Sequence, residues 1–488
     1  MQKVIHRLSN NFRHQFINHR RQVFKSMNPN NTTTTTTIST AAAKTMSTLT
    51  AATPPSRVRP NPAVKKIDTP EFKSIFTEEL HALIGLFEKY NYELRIAGGA
   101  VRDILMHIQP KDVDLATTAT PDQMKEMFTK EEVRMINAKG EKHGTITPRI
   151  NNKENFEVTT LRIDVLTDGR HAEVQFTTDW QLDANRRDLT INSMFLGFDG
   201  TVYDYFYGYE DLQERKVVFV GQADIRIRED YLRILRYFRF YGRIAKDPSN
   251  HDAGTLKAIQ DNVEGMARIS GERIWGEFAK ILQGNFAMEL TLEMFKCGLA
   301  KYIGLPEDPN EDEFRRVFER VALFPGPHHS ITYVAALLHT AEDAMRLHER
   351  LKLSAFERDV TLFITQHRDL VNKEFKTLKD YQMLCMQPAA RRDFVEELLK
   401  YSGSLELYKQ LKEWEIPSFP VTGNMLKSKN CPAGKKMGHV MSKLKMIWAQ
   451  EDFQTSQEDL LEIHLPKILA ELPPPSPPAH KNKKQKMK

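Results

Sequence analysis

The sequence predicts an α+β protein: a mixed-sheet head followed by an all-helical remainder. Two observations predict it. Between Glu93 and Val220 short β-type segments alternate with turn residues. From Asp224 to Leu472 the apolar residues recur almost only at helical spacing. Both flanks lack the composition of a core, so the fold is expected between about Asp68 and Leu472.

Residues 1–30 carry Arg7, Arg13, Arg20, Arg21 and Lys25 among apolar residues and no acid, the composition of a mitochondrial transit peptide. A disordered basic arm is the alternative. The threonine run Thr32–Thr37 and the Pro-rich stretch Pro54–Pro62 cannot build a core, so 1–67 reads as transit peptide and linker. Met27 and Met46 are each placed to start a shorter, untargeted product, a nuclear or cytosolic form beside the mitochondrial one.

Phe72–Tyr90 has Ile75, Leu80, Leu83, Leu86 and Phe87 at helical spacing and predicts an amphipathic helix. The β-type segments are Glu93–Ala97, Val113–Ala116, Phe156–Leu161, Ala172–Phe176, Ser193–Phe198 and Val217–Val220. No internal repeat interrupts this order.

Charge and cysteine usage narrow the function. The net charge is +6, but 1–67 holds eleven Lys or Arg and no acid, and 473–488 holds five lysines and no acid. The middle is therefore at −10, and a polyanion would have to bind a local patch. The mean hydropathy is −0.50 and no apolar run approaches the ~18 residues of a membrane span. Cys297, Cys385 and Cys431 lie far apart, which argues against a disulfide framework or a zinc site.

Five stretches carry chemistry. Gly98-Gly99-Ala100-Val101-Arg102-Asp103 follows a strand and opens a helix, where glycines permit close approach and helix N–H groups meet a phosphate. Arg102 adds a bidentate donor. Lys111-Asp112-Val113-Asp114 follows, and in a strand the two aspartates would share one face. Two adjacent carboxylates repel unless a divalent cation joins them, and Mg²⁺ suits carboxylates plus substrate phosphates. A pair of such ions roughly 3.5–4 Å apart would activate an attacking hydroxyl and stabilise a leaving pyrophosphate. Glu157 opposes the apolar face of its strand and is the candidate third carboxylate. Between that strand and Ala172–Phe176, the loop Ile163–His171 carries the turn signal Asp168-Gly169, bracketed by Arg162 and Arg170. Arg186-Arg187-Asp188-Leu189-Thr190-Ile191-Asn192 offers phosphate clamps beside ribose hydrogen-bonding groups.

The last stretch is Glu229-Asp230-Tyr231-Leu232-Arg233-Ile234-Leu235-Arg236-Tyr237-Phe238-Arg239. On one helix Asp230 and Arg233 would sit at i and i+3, an acceptor beside a donor. Cytosine and adenine both show an exocyclic amine next to an unprotonated ring nitrogen, which such a pair would match. Uracil and guanine show the reverse and would strand polar groups. Arg236 and Arg239 continue the stripe toward a triphosphate.

In this order, from about Ile96 to Glu277, these segments resemble the class II tRNA nucleotidyltransferases, or CCA-adding enzymes, and most closely their eukaryotic members. The resemblance includes Asp204-Tyr-Phe-Tyr-Gly208-Tyr-Glu-Asp-Leu and Gly271-Glu272-Arg273-Ile274-Trp275-Gly276-Glu277. It implies addition of CMP and AMP to the tRNA 3′ end from CTP and ATP, with Mg²⁺ on Asp112 and Asp114. It implies that Gly99, Arg102 and Arg187 contact the nucleotide, that Asp230 and Arg233 template the base with Arg236 and Arg239 nearby, and that Gly271–Glu277 supports them from behind. The implied division is a head at 68–222, a neck at 223–285, a body at 286–412 and a tail at 413–472, the helical parts holding tRNA. The tail stretch Gly423 to Trp448, with Lys435, Lys436 and Gly438, fits less specifically. A monomer or a homodimer is expected. The Pro/Lys-rich end, 473–488, lies outside the pattern.

Other readings compete. Poly(A) polymerases share the head, a partial CC- or A-adding enzyme is conceivable, and a non-catalytic RNA scaffold would need none of the carboxylates. His367-Arg368-Asp369-Leu370 mimics a kinase catalytic loop, but Glu374 stands where that loop needs Asn.

Overall fold

The protein is described here by a computed structural model covering residues 57–136, 138–167 and 172–472. The transit peptide, the internal starts, the Asp168-Gly169 tip with Arg170 and the basic C-terminal end lie outside the described residues. The described chain forms two compact units, one of 57–315 with Tyr333–Arg358, the other of Arg316–Thr332 with 359–472.

The first unit is built on a mixed sheet. Its strands are β1 (Ala63–Lys66), β2 (Leu94–Ala97), β3 (Leu115–Thr117), β4 (Arg134–Ile136), β5 (Thr145–Ile150), β6 (Glu154–Asn155) and β7 (Val158–Thr160). A separate hairpin, β8 (Arg162–Thr167) with β9 (Ala172–Phe176), follows, and β10 (Phe195–Leu196) and β11 (Thr201–Tyr203) return to the sheet. The order is β1-β11-β10-β2-β3-β7-β5-β4, with β6 on β5. Every pairing is antiparallel except β3 with β7. Beneath it Ala97, Ala116, Leu161, Trp180, Phe195, Phe206 and Val220 form a buried cluster. Trp180 meets Phe195 edge-on at 4.8 Å, and the Arg95 guanidinium lies between the Trp180 and Tyr203 rings at 4.1 and 3.9 Å.

Helices α1 (Pro70–Lys73), α2 (Glu78–Lys89), α3 (Gly99–Leu105), α4 (Pro121–Lys130) and α5 (Trp180–Asn185) surround the sheet. The expected helix Phe72–Tyr90 is interrupted. Thr77 adopts an extended conformation and its hydroxyl accepts from Leu80 N, so α2 starts afresh there, while Ile75 is buried outside any helix. Among the expected strands, Ala172–Phe176 matches fully, and Glu93–Ala97 loses one residue. Ser193–Phe198 shrinks to two residues, and Phe156–Leu161 to three. Val217–Val220 is not a strand, since only an isolated bridge joins Phe219 to Leu189. Its apolar run marks burial, which periodicity alone does not separate from a strand.

From α7 (Ala223–Glu229) onward this unit is helical, with α6 (Gly208–Gln213) just before it. Helix α8 (Arg233–Ile244) packs beside α10 (Gly271–Leu282), with α9 (Ala253–Asn262) between them in the chain. Gly271 is required by contact, because a Cβ there would fall 1.9 Å from the Arg350 carbonyl oxygen.

In the second unit, helices Leu378–Cys385, Arg392–Ser402, Leu405–Glu413 and Lys435–Gln450 follow one another. A separate small core there contains Leu426, Val440, Leu444, Trp448 and Leu460. His367 sits in the helix Ala355–Lys373, buried, its Nδ1 2.8 Å from the Phe363 carbonyl and its ring stacked on Phe363 at 4.3 Å. The kinase-like tetrapeptide is thus a stretch of helix whose histidine is packed inward while Asp369 is exposed.

Candidate active site

The site forms where β2 ends and β3 and β7 begin. Ala97 N donates to Asp114 O at 2.9 Å, and Leu115 N donates to Glu157 O at 3.0 Å. In the parallel ladder Leu115 pairs with Val158, so the residues just before them, Asp114 and Glu157, stand level with each other. Asp112 and Asp114 do not lie in the strand, which begins at Leu115; Asp112 sits in a bend and Asp114 in the irregular residues leading into it. The same-face argument therefore does not apply, and their proximity follows from the approach to the ladder. Although Asp114 is exposed to the cleft as a whole residue, enclosure raises its carboxyl above the usual range. Glu157 and then Asp112 add to the shift, and Arg187 opposes it.

Beside them is the glycine turn. Gly98 has φ +61°, which calls for glycine, and a Cβ there would press on Arg187 Nη1 at 3.0 Å. Helix α3 starts at Gly99 and carries Arg102 into the interior, 3% exposed. Its Nε and Nη2 donate to Asp103 Oδ1 at 3.1 and 2.9 Å, and Nη1 to Asn192 Oδ1 at 2.5 Å. Burial pulls the Arg102 guanidinium down to about 10, with Asp103 opposing that shift.

Arg187 is held by Asp183, whose Oδ2 accepts from Nε at 3.2 Å and Nη2 at 3.0 Å. Asp183 Oδ1 accepts from Arg186 Nε at 2.9 Å and from Arg162 N at 3.1 Å. Burial works to raise the Asp183 carboxyl, yet Arg187 and Arg186 outweigh it and hold it below the usual range. The same balance holds at Asp188, where Arg236 Nε donates to Oδ2 at 2.6 Å.

Asp230 and Arg233 are not on one helix. Asp230 ends α7 in an extended conformation (φ −152°, ψ 105°), and α8 starts at Arg233. The short aspartate side chain takes a local bond instead, Oδ1 accepting from Leu232 N at 3.1 Å. Oδ2 accepts from Arg273 Nη2 at 2.7 Å, which places α10 directly behind the pair. Arg233 donates to Glu229 Oε2 at 2.5 Å and to the carbonyls of Arg226 and Arg186. Arg239 pairs with Glu277 of α10.

All ten residues singled out in the sequence line one open cleft of about 1230 Å³: Gly99, Arg102, Asp112, Asp114, Glu157, Arg187, Asp230, Arg233, Arg236 and Arg239. Nine arginines and two lysines there face seven carboxylates, a local basic surface within a net acidic middle. Three lining or supporting residues escape a sequence reading. Arg243 continues the stripe one turn beyond Arg239, and Asp183 stands three and four residues before Arg186 and Arg187, so both were findable by spacing; Lys280 carries no signal of its own. Among the described residues, no set of three or more His, Cys, Asp or Glu side chains is arranged to hold a metal ion alone. The donor set that fits a divalent cation is the crowded Asp112–Asp114 pair completed by phosphate oxygens, with Glu157 level with Asp114. No helix of the described residues is long and apolar enough to cross a membrane.

Residues 94–218 match the family model described as Poly A polymerase head domain, and 252–307 that of a probable RNA and SrmB-binding site of polymerase A. The mitochondrial CCA tRNA nucleotidyltransferase 1 of Danio rerio is 52% identical over 402 residues, covering 81% of this chain and 92% of that protein. The Homo sapiens protein of the same name is 52% identical over 403 residues, with the same shares. The solved Bacillus stearothermophilus CCA-adding enzyme in complex with CTP has a TM-score of 0.63 at 22% identity, covering 83% of this chain and 98% of its own. The Thermotoga maritima CCA-adding enzyme complexed with tRNA has a TM-score of 0.57 at 18% identity, covering 82% and 97%. At those identities the two structures speak for the fold; the vertebrate relatives speak for the activity. With that likeness running through more than four-fifths of its length, the chain belongs to the CCA tRNA nucleotidyltransferases, the transferases that complete tRNA with CCA.

Proposed function

We propose that this cleft transfers CMP and AMP from CTP and ATP to the 3′ end of tRNA, with Asp112 and Asp114 holding Mg²⁺ and Glu157 as third carboxylate. The observation that carries the reading is the level pairing of Asp114 with Glu157 at the edge of an arginine-lined cleft. A divalent cation bound there supplies charge neutralisation at the attacking hydroxyl and the departing pyrophosphate. Gly99 allows close approach of the nucleotide, and Arg102, Arg187, Arg236 and Arg239 orient its phosphates, each already fixed by a carboxylate partner. Asp230 and Arg233 read the edge shared by cytosine and adenine, Arg273 and Glu229 holding them at their stations.

On this reading the nucleotidyltransferase head is 68–222 and the templating neck 223–285, while the body 286–412 and tail 413–472 hold tRNA. Every residue named comes from one chain, so a monomer or a homodimer carries a complete site. The vertebrate relatives are named mitochondrial, which supports a mitochondrial enzyme, with Met27 or Met46 starting a nuclear or cytosolic form.

The test supplies each nucleoside triphosphate to a tRNA transcript lacking its last three residues and sequences the products. CCA addition stops after three residues; run-on adenylation would contradict the reading. Asp112→Ala should abolish transfer while tRNA binding persists, and retained turnover would overturn the metal assignment.

A further inference from the structure

Six side chains form an unbroken chain that starts and ends on helix α8. Arg243 Nη2 donates to Asp103 Oδ2 at 2.7 Å, and Asp103 Oδ1 accepts from Arg102. Arg102 donates to Asn192 Oδ1, Asn192 Nδ2 to Asp188 Oδ1 at 3.3 Å, and Arg236 of α8 closes the path on Asp188 Oδ2. The four interior members are 3–8% exposed. Phe240 of the same helix fills the ring, its centroid 4.9 Å from Arg102 and 4.4 Å from Arg239. Asp103 is the junction: one carboxylate oxygen serves the helix that opens at the glycine turn, the other serves α8.

We propose that Asp103 is a positioning residue which, through Arg243, keeps the glycine turn in register with α8, so that phosphate placement and base choice are set together. The inference rests on the nucleotidyl-transfer reading above. Burial explains why Asp103 must be paired but not why its second partner comes from α8, the helix that Arg233 opens. Arg243 is 45% exposed in its side chain and Asp103 keeps Arg102 as a partner without it, so what Arg243 contributes is the relative placement of the two helices. Two oxygens shared between two elements resist sliding as well as separation, which a single contact does not.

The experiment measures CTP and UTP incorporation on a tRNA transcript lacking its last three residues, using the full chain with Mg²⁺. Asp103→Asn and Arg243→Gln should each lower kcat/KM for CTP roughly tenfold to a hundredfold, the range for a hydrogen bond to a charged group. Both should raise the UTP-to-CTP incorporation ratio, and Arg243→Lys should restore it in part. The double variant should fall no more than about threefold below the weaker single one, as expected for residues acting on each other. Multiplying losses, or an unchanged UTP-to-CTP ratio, would overturn the proposal. Should Asp103→Asn fail to fold, the half-exposed Arg243 decides alone: Arg243→Gln indistinguishable from the unaltered chain sinks it. Asp112→Ala in the same assay separates the two ideas. Turnover there would defeat the transfer reading, whereas silence there with multiplying losses defeats only the role of Asp103.

Discussion

Arg273 reaches Asp230 from the neighbouring helix, Nη2 to Oδ2 at 2.7 Å, while the other carboxylate oxygen accepts from Leu232 N. The acceptor proposed to read the base is therefore oriented from two sides before any nucleotide arrives. Arg273→Met keeps the length and removes the charge. Roughly a tenfold loss of kcat/KM is expected for CTP and ATP alike, because reorienting Asp230 then costs about 1.4 kcal/mol. Single-nucleotide incorporation kinetics check it; an unchanged rate would mean that Asp230 needs no orienting.

Arg233 is the donor of the proposed pair and is fixed by Glu229 and two backbone carbonyls. Arg233→Ala should narrow the preference for CTP over UTP by roughly tenfold to a hundredfold, the loss of one charged hydrogen bond. Product sequencing with UTP or GTP as sole substrate reports it, and intact selectivity would remove Arg233 from base reading.

Asp183 is 1% exposed and anchors both Arg186 and Arg187. Asp183→Asn should cost about 3 kcal/mol at neutral pH, the range for removing one member of a buried ion pair. Because the arginines hold the folded-state carboxyl below its ordinary range, this stability is present above the unfolded pKa and is lost as pH falls through the lower, folded one. Thermal unfolding of the two proteins should thus converge only in strongly acidic solution. Convergence near neutrality would contradict the ion-pair account.

Gly98→Ala tests the turn. With φ 61° and ψ −113° the position lies outside the left-handed helical region and costs an alanine about 1–3 kcal/mol, and the added Cβ presses on Arg187 Nη1 at 3.0 Å. A raised KM for both nucleotides with a modest fall in melting temperature is expected; a normal KM would free Arg187 from the nucleotide.

The site was more legible in the sequence than the fold around it. Asp112, Asp114, Arg187 and the α8 stripe lie in short contiguous stretches whose residue types announce phosphate and metal chemistry, and all reach one cleft. What stayed hidden is what several contacts build together. Asp183 stands three and four residues before Arg186 and Arg187, a spacing the sequence offered, but its burial and its bond from Arg162 N appear only in the fold. Helical spacing placed Asp230 inside a helix, but an aspartate side chain competes for backbone N–H groups, and here it ended one helix and oriented the start of the next. Strands β4 and β5 were missed because β4 is only three residues long at the sheet edge and β5, buried at Ile146, Thr147, Pro148 and Ile150, shows no alternation and contains a proline.

The level pairing of Asp114 and Glu157 has a consequence for how the chain tolerates change. Since the β3–β7 ladder aligns the two carboxylates, the excursion joining them is free to lengthen at its surface turn, where Asn151 and Asn152 adopt φ of 51° and 54°. Residues inserted there would leave the spacing of the acids untouched. A slip of one residue within β7 would instead turn Glu157 away and bring an apolar neighbour to the phosphates.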